Sequence, residues 1–399
     1  MKIVGRGIVY DGSQALPEAR FATSPGVACL RNGTWVASVR VGDKKETAHE
    51  DVYVLNSKDA GVTWDVVFSG FGDTHVEAMV GRIHNMALTE VSPNRLMASM
   101  AWYDHSDPSR PLTNPVTTGV LPSRFFVSES EDAGHTWSPL RVVDMSPHKG
   151  VTSTGASIIV LKDGNLILPY ESWKEYDDTS PALHYAALRL SSNGGQTWTG
   201  PIITDNQSQR ERDFFWDQHL GLHPDSGDLV AMFWAHNSQL NQDLPIHIAW
   251  GSPDGLNWSP VQSTGIAGQI TAPIVLPGGK TVAVYNHRHS PPGIRAVLSD
   301  DFGRTWRLDE EVLLYGKETG VSEAGMEPNR NWVDYWEDFK RWTFGMPAVC
   351  RLGDNEVLVV YYAGDMQAMS IHWARIAVGS RSQDQTASKG QENEYAISR

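Results

Sequence analysis

Five acidic side chains stand where this chain could perform acid–base chemistry: Asp43, Glu46, Asp104, Glu171 and Asp217. With two carboxylates at a glycosidic bond, one can protonate the leaving oxygen while the other activates water or attacks. Glu171, in Pro169-Tyr-Glu-Ser-Trp173, starts a loop between two aromatic residues. Arg40, Arg82 and Arg288 could hold a substrate carboxylate by bidentate bonds. His84, His105, His236 and His287, with Tyr285, suit a different chemistry, the base and acid of a uronate lyase. His84, His219 and His247 also fit ordinary strand positions, whereas His287-Arg288-His289 at a loop mouth suits a core poorly and reads as functional. Trp102, Trp173, Trp234 and Tyr285 could stack on sugar rings or pack between sheets. The substrate-binding set is therefore Arg40, Arg82, His84, Asp104, Trp173, His236, Tyr285, His287 and Arg288.

Positioning these groups falls to a repeated element. Ser57-Lys-Asp59-Ala-Gly61-Val-Thr63-Trp64 returns as Ser130-Glu-Asp132-Ala-Gly134-His-Thr136-Trp137 and Ser192-Asn193-Gly-Gly195-Gln-Thr197-Trp198. Two further copies are Ser252-Pro-Asp254-Gly255-Leu-Asn-Trp258 and Ser299-Asp-Asp301-Phe-Gly303-Arg-Thr305-Trp306. Ser and Asp side chains bond nearby backbone N–H groups, Gly takes the positive-φ position, and Thr-Trp opens a strand with a large buried ring. These are turn staples without a catalytic role. They set the architecture, and internal repeats of this kind decide the fold.

Between staples the same order recurs: an apolar run, a Gly-containing turn, a second run, a variable polar loop, and a third run ending in the staple. The strand after each Trp makes four. Such spacing predicts an all-β fold, a six-bladed β-propeller of four-stranded antiparallel blades over residues 1–378. The sixth unit has no staple and no fourth strand, so Lys2–Tyr10 is expected to fill the gap and close the ring. Strand parity puts the short staples on one face. Long loops and the first residues of the innermost strands share the other, including Arg82-Ile-His84-Asn85 and Trp216-Asp217-Gln218-His219. That face forms a polar bowl at the axis.

The chain has 399 residues and a formal charge of −14, which argues against nucleic acid as a partner. No apolar run is long enough to span a membrane. Met1–Tyr10 is too short and polar for a signal peptide, so the expected location is cytoplasmic, or periplasmic or extracellular if a signal has been removed. Cys29 and Cys350 read as buried free thiols. No metal-ligand spacing or phosphate loop is evident, and no cofactor is expected. Residues 379–399 lose apolar periodicity and are expected to be disordered.

The five staples resemble the Asp-box, or bacterial neuraminidase repeat, of the sialidase superfamily, and the resemblance spans the whole propeller. It implies an arginine at the end of a second strand followed by an aspartate acid/base; in Ser38-Val-Arg40-Val-Gly-Asp43-Lys-Lys-Glu46, Arg40, Asp43 and Glu46 take those roles, with Asp51 the weaker alternative. Two departures stand out. Sialidases open the first inner strand with Arg-Ile-Pro, but this chain has Thr23-Ser-Pro25, leaving Arg20 or Arg82 as a displaced clamp. Their nucleophilic tyrosine enters the last inner strand in Gly-Tyr-Ser, where this chain has Phe344-Gly-Met346-Pro347. Tyr361 and Tyr362, on the adjacent strand, are the remaining candidates, with Tyr361 taken as catalytic.

The leading expectation is a sialidase-like, exo-acting glycoside hydrolase on a terminal, acidic sugar, using bowl carboxylates and an arginine clamp. A uronate lyase and a non-catalytic carbohydrate-binding propeller are the alternatives.

Overall fold

The computed structural model describes residues 1–153, 155–316 and 340–379. They form an all-β, propeller-like ring of four-stranded blades, and helix among them is confined to 3-10 turns of three residues. None of the described helices is long and apolar enough to cross a membrane. The expected disordered tail lies outside the described residues from 380 onward, as does most of the long connection from Tyr315 to Phe344.

Hydrogen bonding groups the strands into five sheets. One begins with Met79–Ser92 and Arg95–Asp104, another is built on Leu166–Ser172 and Tyr185–Ser191, and two more start from Asp213–Leu222 and Thr271–Val275. The largest, of eight strands, joins the end of the chain to its beginning. In it, Phe344–Arg351, Glu356–Gly364 and Met369–Ala377 meet Phe21–Cys29 through a single parallel pair, Phe21 with Met369. Lys2–Tyr10 pairs antiparallel with Met369–Ala377, from Lys2 opposite Ala377 to Tyr10 opposite Ile371. The N-terminal strand thus covers an edge that would otherwise expose unpaired N–H and C=O groups. The innermost strands then meet around the axis: Asp213–Leu222 touches Thr271–Val275, which touches Phe344–Arg351, which returns to Phe21–Cys29.

The staples show why Ser, Asp and Gly recur. In the first, Asp59 Oδ1 accepts the Thr63 N–H at 2.9 Å and Ser57 Oγ accepts the Gly61 N–H at 2.8 Å. The same bonds return at Asp132 and Asp301. In the third copy the serine is Ser191 rather than Ser192: its Oγ accepts the Gly195 N–H at 2.9 Å, which restores the spacing of the other copies. Gly134 is required twice over. Its φ is +92°, and a Cβ there would lie 2.7 Å from Val54 of the preceding sheet. Gly195 stands likewise against Met97 and Gly303 against Ile248, so each staple also seats one sheet on its neighbour.

One expectation is overturned. Cys29 and Cys350 are joined as a disulfide with Cα atoms 6.1 Å apart. The strands Phe21–Cys29 and Phe344–Arg351 are neighbours at the axis and both cysteines stand at their outer ends, which the separation of 321 residues concealed.

Candidate active site

Four inner strands break register where they reach the bowl: between Thr23 and Gly26, Ile83 and Asn85, Trp216 and His219, and Gly345 and Ala348. Ser24, Asp217 and Met346 at these breaks have φ of 47°, 53° and 49°. Bulges bend a strand and re-aim its side chains, and backbone strain of this kind clusters at functional sites. Here they turn Ser24, Asp217 and Met346 into a cavity of about 130 Å³ also lined by His84, Glu171, Trp216, Trp234 and Trp342.

Glu171 and Asp217 are its acidic pair. Glu171 Oε1 accepts the Gln218 N–H at 2.8 Å, and His184 Nε2 lies 3.4 Å from Oε2. Burial pushes Glu171 up to about 8 against the pull of these backbone bonds. Burial and the neighbouring Glu171 raise Asp217 well above its ordinary value. Burial and mutual repulsion thus favour the protonated form of both carboxyls at neutral pH. The Gln218 N–H favours charge on Glu171, so Glu171 is the readier of the two to lose its proton. His184, brought down to about 4 by burial, stays neutral beside them.

A second cluster forms around Glu50, which the sequence reading passed over for its neighbour Asp51. Glu50 Oε1 meets His84 Nδ1 at 2.8 Å and His105 Nε2 at 3.6 Å, and Oε2 accepts from Arg40 at 3.2 Å. Burial would raise Glu50, yet His84 and Arg40 hold it far below the usual carboxylate range. Arg40 also donates to Thr23 Oγ1 at 2.9 Å, the Lys45 carbonyl at 2.7 Å and Glu46 at 3.4 Å. Asp51, one residue along the strand, points the other way and accepts the Gly72 and Phe71 N–H groups. Parity alone could have separated the two.

A third cluster is built on Asp243, also missed. It accepts from Trp234 Nε1 at 2.9 Å and Gln269 Nε2 at 3.0 Å, and lies 3.1 Å from His236 Nδ1. These bonds, with His289, overcome burial and keep its carboxyl far below the ordinary range.

The remaining candidates separate. Asp43 is exposed on its loop. Asp104 staples a turn, accepting the Ser106 N–H at 2.9 Å. Arg82 pairs with Asp73 at 2.8 Å and Asp51 at 3.5 Å. Trp173 donates to the Thr118 carbonyl at 2.8 Å and packs edge-on against Phe214. Trp102 is buried between sheets. Tyr285 bonds Glu311 on the far side of its strand, and His287 Nδ1 sits 3.0 Å from the Pro291 carbonyl. Arg288, of opposite parity to His287, turns inward. Its guanidinium lies 3.5 Å from the Trp342 ring centroid and beside the Tyr362 hydroxyl. Tyr361 stacks on His372 at 5.7 Å within the apolar packing of the last sheet, so it stands apart from the cavity. Its neighbour Tyr362 turns inward instead, its hydroxyl 3.2 Å from Lys45 Nζ. Among the described residues no cluster of three or more His, Cys, Asp or Glu is arranged to hold a metal.

A wider recess of about 540 Å³ adjoins the cavity, shares His84 and Leu112 with it, and runs past Glu46, His105 and Arg110. Together they offer a small chamber with a carboxyl pair and an open approach beside it.

The same architecture occurs in solved structures. A Dyadobacter fermentans protein of unknown function aligns with a TM-score of 0.66 at 17% identity, over 95% of this chain and 99% of that one. The intramolecular trans-sialidase from Ruminococcus gnavus gives 0.61 at 11%, over 95% and 98%. The α-L-arabinanase of Penicillium chrysogenum gives 0.58 at 13%, over 94% and 99%. At these identities the likeness is one of fold. Comparison with curated proteins gives no sequence match. The BNR repeat-like domain matches residues 112–354, more than half of the chain, and the protein belongs to that family.

Proposed function

We propose that this protein is an exo-acting glycoside hydrolase on a six-bladed propeller, the eight-stranded sheet counting as two blades. The observation that carries the reading is the Glu171–Asp217 pair. Both carboxyls are shifted towards their protonated forms and line one small cavity. The cavity is small and walled by Trp216, Trp234 and Trp342, which suits one terminal residue rather than a chain. The adjoining recess would take the leaving group.

In this reading Asp217 gives its proton to the glycosidic oxygen as the bond to the anomeric carbon breaks. Water adds to that carbon, and the proton it loses returns to the carboxyl pair, which ends the cycle as it began. His84 forms part of the side wall, held from behind by Glu50 and Arg40, and Asp243 fixes Trp234 and His236. The inward-facing tyrosine is Tyr362, so the nucleophilic role first given to Tyr361 passes to Tyr362 if a covalent intermediate forms. Sugar release from simple aryl glycosides by the purified protein, lost in Glu171→Gln and Asp217→Asn, tests the reading; turnover unchanged in both variants would refute it.

A further inference from the structure

We infer that the sugar bound in the central cavity is uncharged; this rests on the hydrolase reading and concerns which substrate that site accepts. The arginine clamp expected for an acidic sugar is present in sequence but not presented to the cavity. Arg40 is enclosed by Glu50, Glu46, Thr23 and the Lys45 carbonyl. Arg82 faces Asp51 and Asp73 at the rim. Arg288 lies beneath the indole of Trp342, whose carbonyl is in turn held by Lys45 Nζ at 2.8 Å. Lys45 itself lies over the Tyr362 ring at 5.1 Å. Arg40 and Arg82 are thus paired with carboxylates, and Arg288 is buried against the Trp342 ring rather than lining the cavity.

What the cavity does present is acidic and apolar. Among its described lining residues the charged groups are Glu171 and Asp217, with His84 at the side and no lysine or arginine. Trp216, Trp234 and Trp342 supply flat apolar surface, with Trp216 and Trp234 centred 5.3 Å apart. A substrate carboxylate would sit in a desolvated space beside two carboxyls, with no lysine or arginine in the lining to offset its charge. An uncharged ring instead places its C–H face on the indoles and its hydroxyls on Glu171, Asp217, Ser24 and His84.

The full chain would be incubated with 4-methylumbelliferyl glycosides of neutral pentoses and hexoses, of sialic acid and of glucuronic acid. The expected result is hydrolysis of at least one neutral glycoside, with the two acidic ones slower in kcat/KM by about a hundredfold or more. Equal or faster turnover of either acidic glycoside would overturn the inference while leaving the hydrolase reading intact. If no glycoside is cleaved the hydrolase reading fails, and saturation-transfer NMR with the free sugars decides the inference. Binding of neutral sugars without acidic ones supports it; binding of an acidic sugar, or of none, overturns it. As a positive counterpart, Trp342→Ala uncovers Arg288 and should raise binding or turnover of the sialic acid compound about tenfold; no change in a folded Trp342→Ala protein counts against the covering role of the indole.

Discussion

The Glu171 carboxylate accepts the backbone N–H of Gln218 at 2.8 Å, and this bond joins two neighbouring sheets at the centre of the site. The Gln218 side chain extends the link. It donates to the carbonyls of Tyr170 and Ala187 at 2.8 and 2.9 Å and accepts from Thr204 Oγ1 at 2.8 Å. The acid pair is therefore held by backbone on one side and by a fully bonded buried amide on the other. Gln218→Ala would leave buried carbonyls unpaired, at about 1–3 kcal/mol. Chemical denaturation should show that loss, together with a fall in activity larger than the unfolded fraction explains.

The pair also sets a pH dependence. Both carboxyls titrate higher in the folded chain than in the unfolded one, so the folded state binds the extra proton. The stability they contribute is fully present below the ordinary value of 4.5 for Glu171 and is lost as pH rises through about 8. Tm should fall over that window in the wild type and fall less in Glu171→Gln. Activity should decline over the same alkaline limb, because the pair then begins to lose the protons it gives.

Glu50 supports the wall rather than the chemistry. Removing it leaves the Arg40 guanidinium buried without its main counter-charge, and breaking a buried pair from one side costs about 3–5 kcal/mol. Glu50→Ala should unfold at much lower denaturant, whereas Glu50→Gln, which keeps the shape and one acceptor, should lose less. Equal stability of Glu50→Ala and the wild type would contradict the placement of Arg40.

The Cys29–Cys350 bridge ties the first inner strand to the last across 321 residues. A link that closes so long a loop restricts the unfolded chain, typically by about 2–4 kcal/mol. The double variant Cys29→Ala, Cys350→Ala should melt lower than the oxidised protein and match the wild type under reductant.

Much of this architecture was legible in sequence because the staples are local. Ser, Asp, Gly and Trp at fixed spacing meet their partners within a few residues, and Lys2–Tyr10 had an evident vacancy to fill. Inner strands were also legible, and with them the position of Asp217 and His84 at the bowl. Individual inward side chains near strand ends were not. Glu50 and Asp51, His287 and Arg288, and Tyr361 and Tyr362 are adjacent pairs, and a one-residue shift sends a side chain to the opposite face. Bulges at the bowl add such shifts at Trp216–His219 and Gly345–Ala348, where no sequence signal marks them. Asp243 escaped notice because its partners Trp234, His236 and Gln269 come together only through tertiary packing.

The central claim is that Glu171 and Asp217 together supply the proton for glycoside cleavage. Its most direct test is the pH–rate profile of aryl glycoside hydrolysis by the wild type, Glu171→Gln and Asp217→Asn. The account predicts a wild-type alkaline limb near pH 8 and kcat reduced by about 10²–10⁴-fold in each variant, with that limb displaced or absent. Both variants hydrolysing at wild-type rates with the same profile would show that the pair is structural and that the chemistry lies elsewhere in the bowl.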